Sequence, residues 1–202
     1  MRGKSESRRQ AIVEIAREVF QTLGFEATSM SEIAARVGGS KATLYNYFSS
    51  KEELFVEVMR QSAESLVRNL FDALDASLPP EESLMQFGLG FVEGTSQPVL
   101  TRNYRNAIAE AHKSTVGRLF YERGPQEGLR VLARHLEACM ARGALRREDG
   151  LIAAQQLFGL LRAEIQDKLL LGVIDSIPAD EKPRMARRAV EVFLRAYRPD
   201  AG

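Results

Sequence analysis

The sequence predicts an all-α protein. Apolar residues recur at steps of three and four along nearly every segment, period-two alternation is hard to find, and glycine or proline stands where each stripe stops. At 202 residues, 45% of them hydrophobic, the chain has room for one large helical domain, or for a domain of ordinary size carrying a small module.

The first helix is expected after Ser7, which makes a capping-box pattern with Gln10. It places Ile12, Ile15, Ala16, Val19, Phe20 and Leu23 on one face before Gly24 stops it. Ser29 and Glu32 repeat the capping pattern, and Met30, Ile33, Ala34 and Val37 stripe a short second helix that ends at Gly38 and Gly39. Ser40 caps a third, with Leu44 and Phe48 facing inward and Lys41, Thr43, Tyr45 and Asn46 facing outward. Ser50 and Glu53 open a fourth through Leu54, Phe55, Val58 and Met59, running toward Leu74 before Pro79 and Pro80 break it.

Beyond the prolines the pattern reads as five further helices, one at Leu84, Phe87 and Phe91, the next at Tyr104, Ala107 and Ile108. A longer one carries Leu129, Leu132, Leu136 and Met140, with Val116, Leu119 and Phe120 as a lead-in before Pro125, and Gly143 closes it. Ala154, Phe158, Leu161, Ile165 and Leu169 stripe another, and the last follows Pro178 and Pro183 with Ala186, Ala189, Val190, Phe193 and Tyr197. Gly88, Gly90 and Gly94 within one helix point to close helix contact or local mobility.

Composition narrows the function classes. Lys and Arg total 28 against 27 Asp and Glu, a formal charge of +1, so any attraction to nucleic acid must be local. The one cysteine, Cys139, has no partner for an internal disulfide, and MRGKSESRRQ is polar throughout, unlike a leader peptide. No apolar run approaches the ~18 residues of a membrane span. A soluble, cytoplasmic protein that engages no membrane is the expectation. Enzyme signatures are missing: HExxH, a P-loop, GxSxG and CxxC do not occur, His112 and His135 lie too far apart to share a helical face, and His135 reads as a surface or boundary residue. The chain is expected to be no enzyme and to need no cofactor or metal.

Two short helices joined by a glycine turn, with a longer helix behind them, outline a helix-turn-helix, whose second helix enters the major groove. Ser40, Lys41 and Thr43 can donate to phosphate or base, Ala42 permits close approach, and the hydroxyls of Tyr45 and Tyr47 have the reach of a phosphate. Lys51, at a helix start where free N–H groups favour an anion, and Thr28, at the equivalent place before the second helix, add phosphate contacts. Arg2, Lys4, Arg8 and Arg9 against Glu6 suggest a disordered basic arm along the duplex. An all-helical core, or a module that contacts another protein, would also produce short helices and glycine turns. Small and hydroxylated residues between two capping boxes make a poor core, which favours DNA.

The stretch from about Arg8 to Phe55 closely resembles the N-terminal domain of TetR/AcrR-type transcriptional repressors, through GFEATSMSEIAARVG, SKATLYNYF and SKEELF. The resemblance implies a helix-turn-helix DNA-binding domain over residues 1–52 and a helical ligand-binding and dimerisation domain over 53–202. It also implies a homodimer that reads a palindromic operator in double-stranded DNA and is released by a small-molecule effector of unknown identity. Carried over by position, it puts DNA contacts on Thr28, Ser40, Lys41, Ala42, Thr43, Tyr45, Tyr47 and Lys51. Relatives often have an apolar residue at Gly39, glycine at Ala42 and histidine at Tyr47, which leaves the operator sequence open. The final helices look most like the AefR-like branch.

Two recognition helices on a dyad stand ~34 Å apart, one turn of duplex, so dimerisation has a purpose, and the two C-terminal striped helices are the expected interface. The middle helices would enclose the effector: Phe87, Phe91, Tyr104, Ile108, Phe120 and Phe158 supply apolar wall, while Arg105, His112 and Arg162 orient a polar or acidic group. For each of these side chains the ordinary core reading is the stronger one, since aromatics mostly fill space.

Overall fold

The computed structural model describes residues 2–199, the side chains from Ser5 onward. The elements in order are α1 (Arg2–Ala27), α2 (Met30–Val37), α3 (Lys41–Tyr45), α4 (Lys51–Asp72), α5 (Pro80–Thr95), α6 (Pro98–Glu110), α7 (Val116–Arg123), α8 (Pro125–Ala141), α9 (Gly150–Arg162), α10 (Gln166–Leu170) and α11 (Glu181–Ala196). No strand occurs among the described residues. The chain divides into two compact units: one runs to Ser62 and adds Ala107–Arg123, the other takes Ala63–Asn106 and the chain from Gly124 onward.

In the first unit α1, α2 and α3 close on the start of α4 and on α7. Ile12, Val13, Ala16, Val19, Ile33, Leu44, Phe48, Leu54 and Val116 are buried together. Burying a side chain of this size is worth about 1.5–3 kcal/mol, so this core supplies most of what holds the short helices in place. Phe55 meets Phe20 edge to face and Phe25 at a tilt, with ring centres 4.8 Å apart in each pair. Gly24 interrupts α1 with φ 79° and ψ 170°, a conformation open to glycine alone, and one further turn follows it. Helix α1 begins well before the expected cap, so Ser7 lies within it, and Leu23 is exposed where a core position was expected.

In the second unit α11 packs on α5 and α9, and α8 on α9. Their shared core holds Leu84, Phe87, Leu132, Leu136, Leu157, Leu161, Val190 and Phe193. The close contact suggested by the glycines of α5 is real at Gly88, where a Cβ would stand 3.1 Å from Val190 Cγ2 and 3.3 Å from Leu161 Cδ2.

Among the described residues, seven helices follow the proline pair instead of five. Gly124 and Pro125 separate α7 from α8, because Pro125 lacks the N–H needed to continue a helix but fits as the first residue of a new one. The stripe ending at Leu169 divides into α9 and α10 around Ala163–Ile165. Pro183 sits inside α11, in the first turn, where its missing N–H breaks no hydrogen bond. Helix α4 stops at Asp72, short of Leu74.

Candidate nucleic-acid interface and ligand cleft

The surface of interest grows from local caps. Ser29 adopts an extended conformation and its hydroxyl accepts from Glu32 N–H at 3.2 Å, starting α2. At the other end Gly38 is left-handed (φ 70°), its N–H donates to Ala35 C=O, and Gly39 N–H donates to Ala34 C=O, the paired bonds of a Schellman turn. Ser40 then accepts from Thr43 N–H at 3.0 Å, and the two hydroxyls share a bond at 2.8 Å. Three hydrogen-bonded devices in twelve residues fix the direction of α3.

Helix α3 divides its residues as the residue types require. Leu44 and Phe48 are 2% and 1% exposed, whereas Ser40, Lys41, Ala42 and Tyr45 face solvent and Thr43 is half-buried. The Lys41 ammonium lies 5.9 Å from the Tyr45 ring centre, and Tyr47 packs half-buried against the core. The structure therefore leaves Ser40, Lys41, Ala42 and Tyr45 exposed around the first turns of α3, with Thr43 half-buried and its hydroxyl bonded to Ser40.

Thr28 and Lys51 are placed differently. Thr28 is 2% exposed and its hydroxyl donates to Gly24 C=O at 2.7 Å. The Lys51 ammonium reaches back to α1, donating to Phe25 C=O at 2.8 Å and lying 4.2 Å from the Phe25 ring centre. The start of α4 is capped by Ser50, which accepts from Glu53 N–H at 3.1 Å. The Glu53 carboxylate accepts from Ser49 N–H and Oγ and from Arg123, which holds its pKa below the ordinary range, the Ser49 hydroxyl contributing most.

The basic arm corrects an expectation. Arg8 and Arg9 belong to α1 and are held inside the unit, while the side chains of Arg2 and Lys4 lie outside the described residues. Arg8 donates to Val37 C=O at 3.2 Å, and a Cβ on Gly39 would stand 3.3 Å from its guanidinium. Arg9 donates to Glu57 at 3.0 Å. Glu57 also accepts from Arg60 and Gln61 and is 4% exposed. Burial pushes its carboxyl up, but the hydrogen bonds and charges of Arg60 and Arg9 outweigh that and leave it at about 2. Sequence reasoning missed Glu57; its signal is a carboxylate between Val56 and Val58 on a core-facing stripe.

In the second unit Phe87, Phe91 and Phe158 form a ring cluster with centres 5.0–6.1 Å apart. The Arg162 guanidinium lies 5.2 Å from the Phe158 ring centre, 5.5 Å from Phe91 and 5.8 Å from Tyr104, whose hydroxyl accepts from it at 3.1 Å. Arg162 borders an inner cavity of about 40 Å³, shared with Leu100, Tyr104, Ile165 and Leu169, and an open cleft of about 380 Å³, shared with Leu129, Phe158, Gly159 and Asp167. Of the expected effector residues, Phe87, Phe91, Tyr104, Phe158 and Arg162 come together. Arg105 donates to the Leu169 and Leu170 carbonyls, and Ile108, His112 and Phe120 belong to the other unit, the first two exposed and Phe120 half-buried on its core.

His135 is 6% exposed, which corrects its assignment to the surface. Its Nε2 lies 3.1 Å from Ser83 Oγ and 3.8 Å from Cys139 Sγ. Burial, and then the nearby Arg142 charge, lower its pKa against the pull of Asp75.

Residues 12–58 match the sequence profile of bacterial regulatory proteins of the tetR family, and residues 82–199, more than half of the chain, match the C-terminal domain of AefR-like transcriptional repressors. The chain belongs to the TetR family. Its N-terminus carries that family's helix-turn-helix domain, as the quoted motifs implied. This TetR-family chain is 36% identical over 95 residues to the transcriptional activator FasR of Mycolicibacterium smegmatis, covering 46% of this chain and 43% of FasR. It is 30% identical over 164 residues to the regulator BetI of Rhizobium meliloti, covering 77% and 81%. Several of its curated relatives thus align over less than half their own length. The solved structure of the flavonoid-responsive regulator FrrA superposes with a TM-score of 0.82 at 33% identity, covering 97% of this chain and all of that one. No helix among the described residues is long and apolar enough to cross a membrane.

Proposed function

We propose that this TetR-family regulator is a ligand-responsive repressor that binds a palindromic operator as a homodimer and is released by a small molecule. The observation that carries the reading is the exposed surface of α3, where Lys41, Ala42 and Tyr45 stand outward beside Ser40 and the half-buried Thr43, on a helix anchored from behind by Leu44 and Phe48. That face enters the major groove, Lys41 and Tyr45 meeting phosphate or base edges and Tyr47 the backbone beside them. Thr28 and Lys51 contribute by holding the end of α1 against α2 and α4.

The functional division is residues 1–52 for DNA binding and 53–202 for effector binding and dimerisation, in a cytoplasmic protein. Leu151 and Ile152 on α9 and Val192 on α11 are exposed apolar side chains at 42–50%, and these two helices form the dimer contact. FrrA's description as flavonoid-responsive supports a small-molecule input, received in the cleft beside Arg162. Effector binding acts through α4, a single helix from Lys51 to Asp72, by favouring the form that does not fit the operator.

The relative FasR is named an activator, which supports a second reading in which the same module recruits transcription. Selecting bound duplexes from a random pool gives the operator and its half-site spacing. Placing that operator ahead of a reporter decides polarity: output that falls with the regulator present supports repression, and output that rises supports activation. Operator binding that is insensitive to salt would count against the DNA-binding face itself.

A further inference from the structure

Arg162 is conspicuous for what surrounds it. It is half-buried at the end of α9, and no carboxylate among the described residues lies within ion-pair distance, 4.0 Å, of it. Glu164, two residues along, is taken by Arg188 at 2.6 Å, and Asp167 stands in the outer cleft without pairing to it. The other arginines of this unit that reach across it find acceptors: Arg105 on the Leu169 and Leu170 carbonyls, Arg142 on Leu78 C=O. Arg162 instead faces three aromatic rings and gives one N–H to the Tyr104 hydroxyl.

A guanidinium carries five N–H donors in a planar fork. Ring faces stabilise its charge but accept none of its remaining N–H bonds well, so a half-buried arginine in this setting leaves the rest of its fork open to an oxyanion. We infer that Arg162 is the anion receptor of the effector cleft and that the effector is an apolar monocarboxylate. Its carboxylate pairs with the Arg162 fork and its apolar body lies along Phe158 and Leu129 in the outer cleft. That cleft, at about 380 Å³, is of a size to hold such a body, whereas the inner cavity of about 40 Å³ holds only water. This rests on the ligand-responsive reading above and adds the chemical class of the ligand.

The test uses 2-naphthoate and its neutral isostere 2-naphthamide on the full-length protein, with binding followed by calorimetry and operator affinity measured in the same samples. The expected result is at least about tenfold tighter binding of the anion. Arg162→Met abolishes that preference, with circular dichroism and thermal unfolding reporting an intact fold, and Arg162→Lys keeps part of the preference. Equal affinity for the two compounds, no binding of either, or a preference that survives Arg162→Met overturns the inference. If both compounds bind equally and both weaken operator binding, the anion receptor fails and the ligand-responsive reading stands. If the anion is preferred through Arg162 yet operator affinity never changes, the receptor stands and that reading fails.

Discussion

Arg9 donates to Glu57 across 3.0 Å while its guanidinium stands 4.9 Å from the centre of the Phe48 ring, so one side chain joins α1, α4 and the residue that anchors α3. The recognition helix, only five residues long, has little stability of its own and takes its position from such contacts.

Replacing Glu57 by alanine leaves Arg9 and Arg60 without their carboxylate and is expected to cost about 2–3 kcal/mol in urea unfolding, with operator affinity falling in parallel. The same group sets an acid limit. With its pKa depressed from 4.5 to about 2, its contribution is complete above pH 4.5 and is lost as the pH falls from there toward 2. Unfolding followed at pH 7 and pH 3 should show this loss in the wild type and a smaller one in Glu57→Ala.

Lys41→Ala and Tyr45→Ala are expected to weaken operator binding while leaving thermal unfolding unchanged, since both side chains are exposed. Lys41→Ala should also reduce the slope of log affinity against log salt by about 1 if the ammonium neutralises one phosphate. Lys51→Ala is expected to lower both operator affinity and stability, because its ammonium holds the Phe25 carbonyl. Combined with Tyr45→Ala it should abolish operator binding with the dimer intact, as read by gel shift and light scattering.

His135 predicts a second, milder pH dependence. Its folded pKa is lowered below 6.5, so the folded state binds fewer protons than the unfolded chain in the range below 6.5. Stability therefore falls as the pH drops from 6.5 toward the depressed value. His135→Asn removes that dependence, and a melting temperature equally sensitive between pH 7.5 and 5.5 in both proteins would contradict it.

Gly88→Val should destabilise the second unit by about 1–3 kcal/mol, because the added atoms meet Val190 and Leu161 on α11 and α9. Circular dichroism through a denaturant series measures it.

What the sequence made legible is what closes locally. Ser29, Gly38 and Ser40 were identified because their hydrogen bonds span only a few residues, and the stripe through Leu44 and Phe48 needs nothing beyond helical spacing. What stayed hidden involves partners far along the chain. Arg9 meets Glu57 48 positions away, His135 meets Ser83 52 away, and Lys51 meets Phe25 26 away, and no periodicity reports such pairs. Arg162 was selected as a polar group, but its aromatic surroundings come from three helices. The α7–α8 break was hidden because the apolar stripe continues through Gly124, although Pro125 marked the place.

Arg8, Arg9 and Lys51 direct their charge toward carbonyls and a carboxylate of their own chain. A cation already held by its own chain gives up little counterion when a phosphate approaches, so these three add less to salt-dependent attraction than their number suggests. Discrimination then falls to the groups that meet base edges.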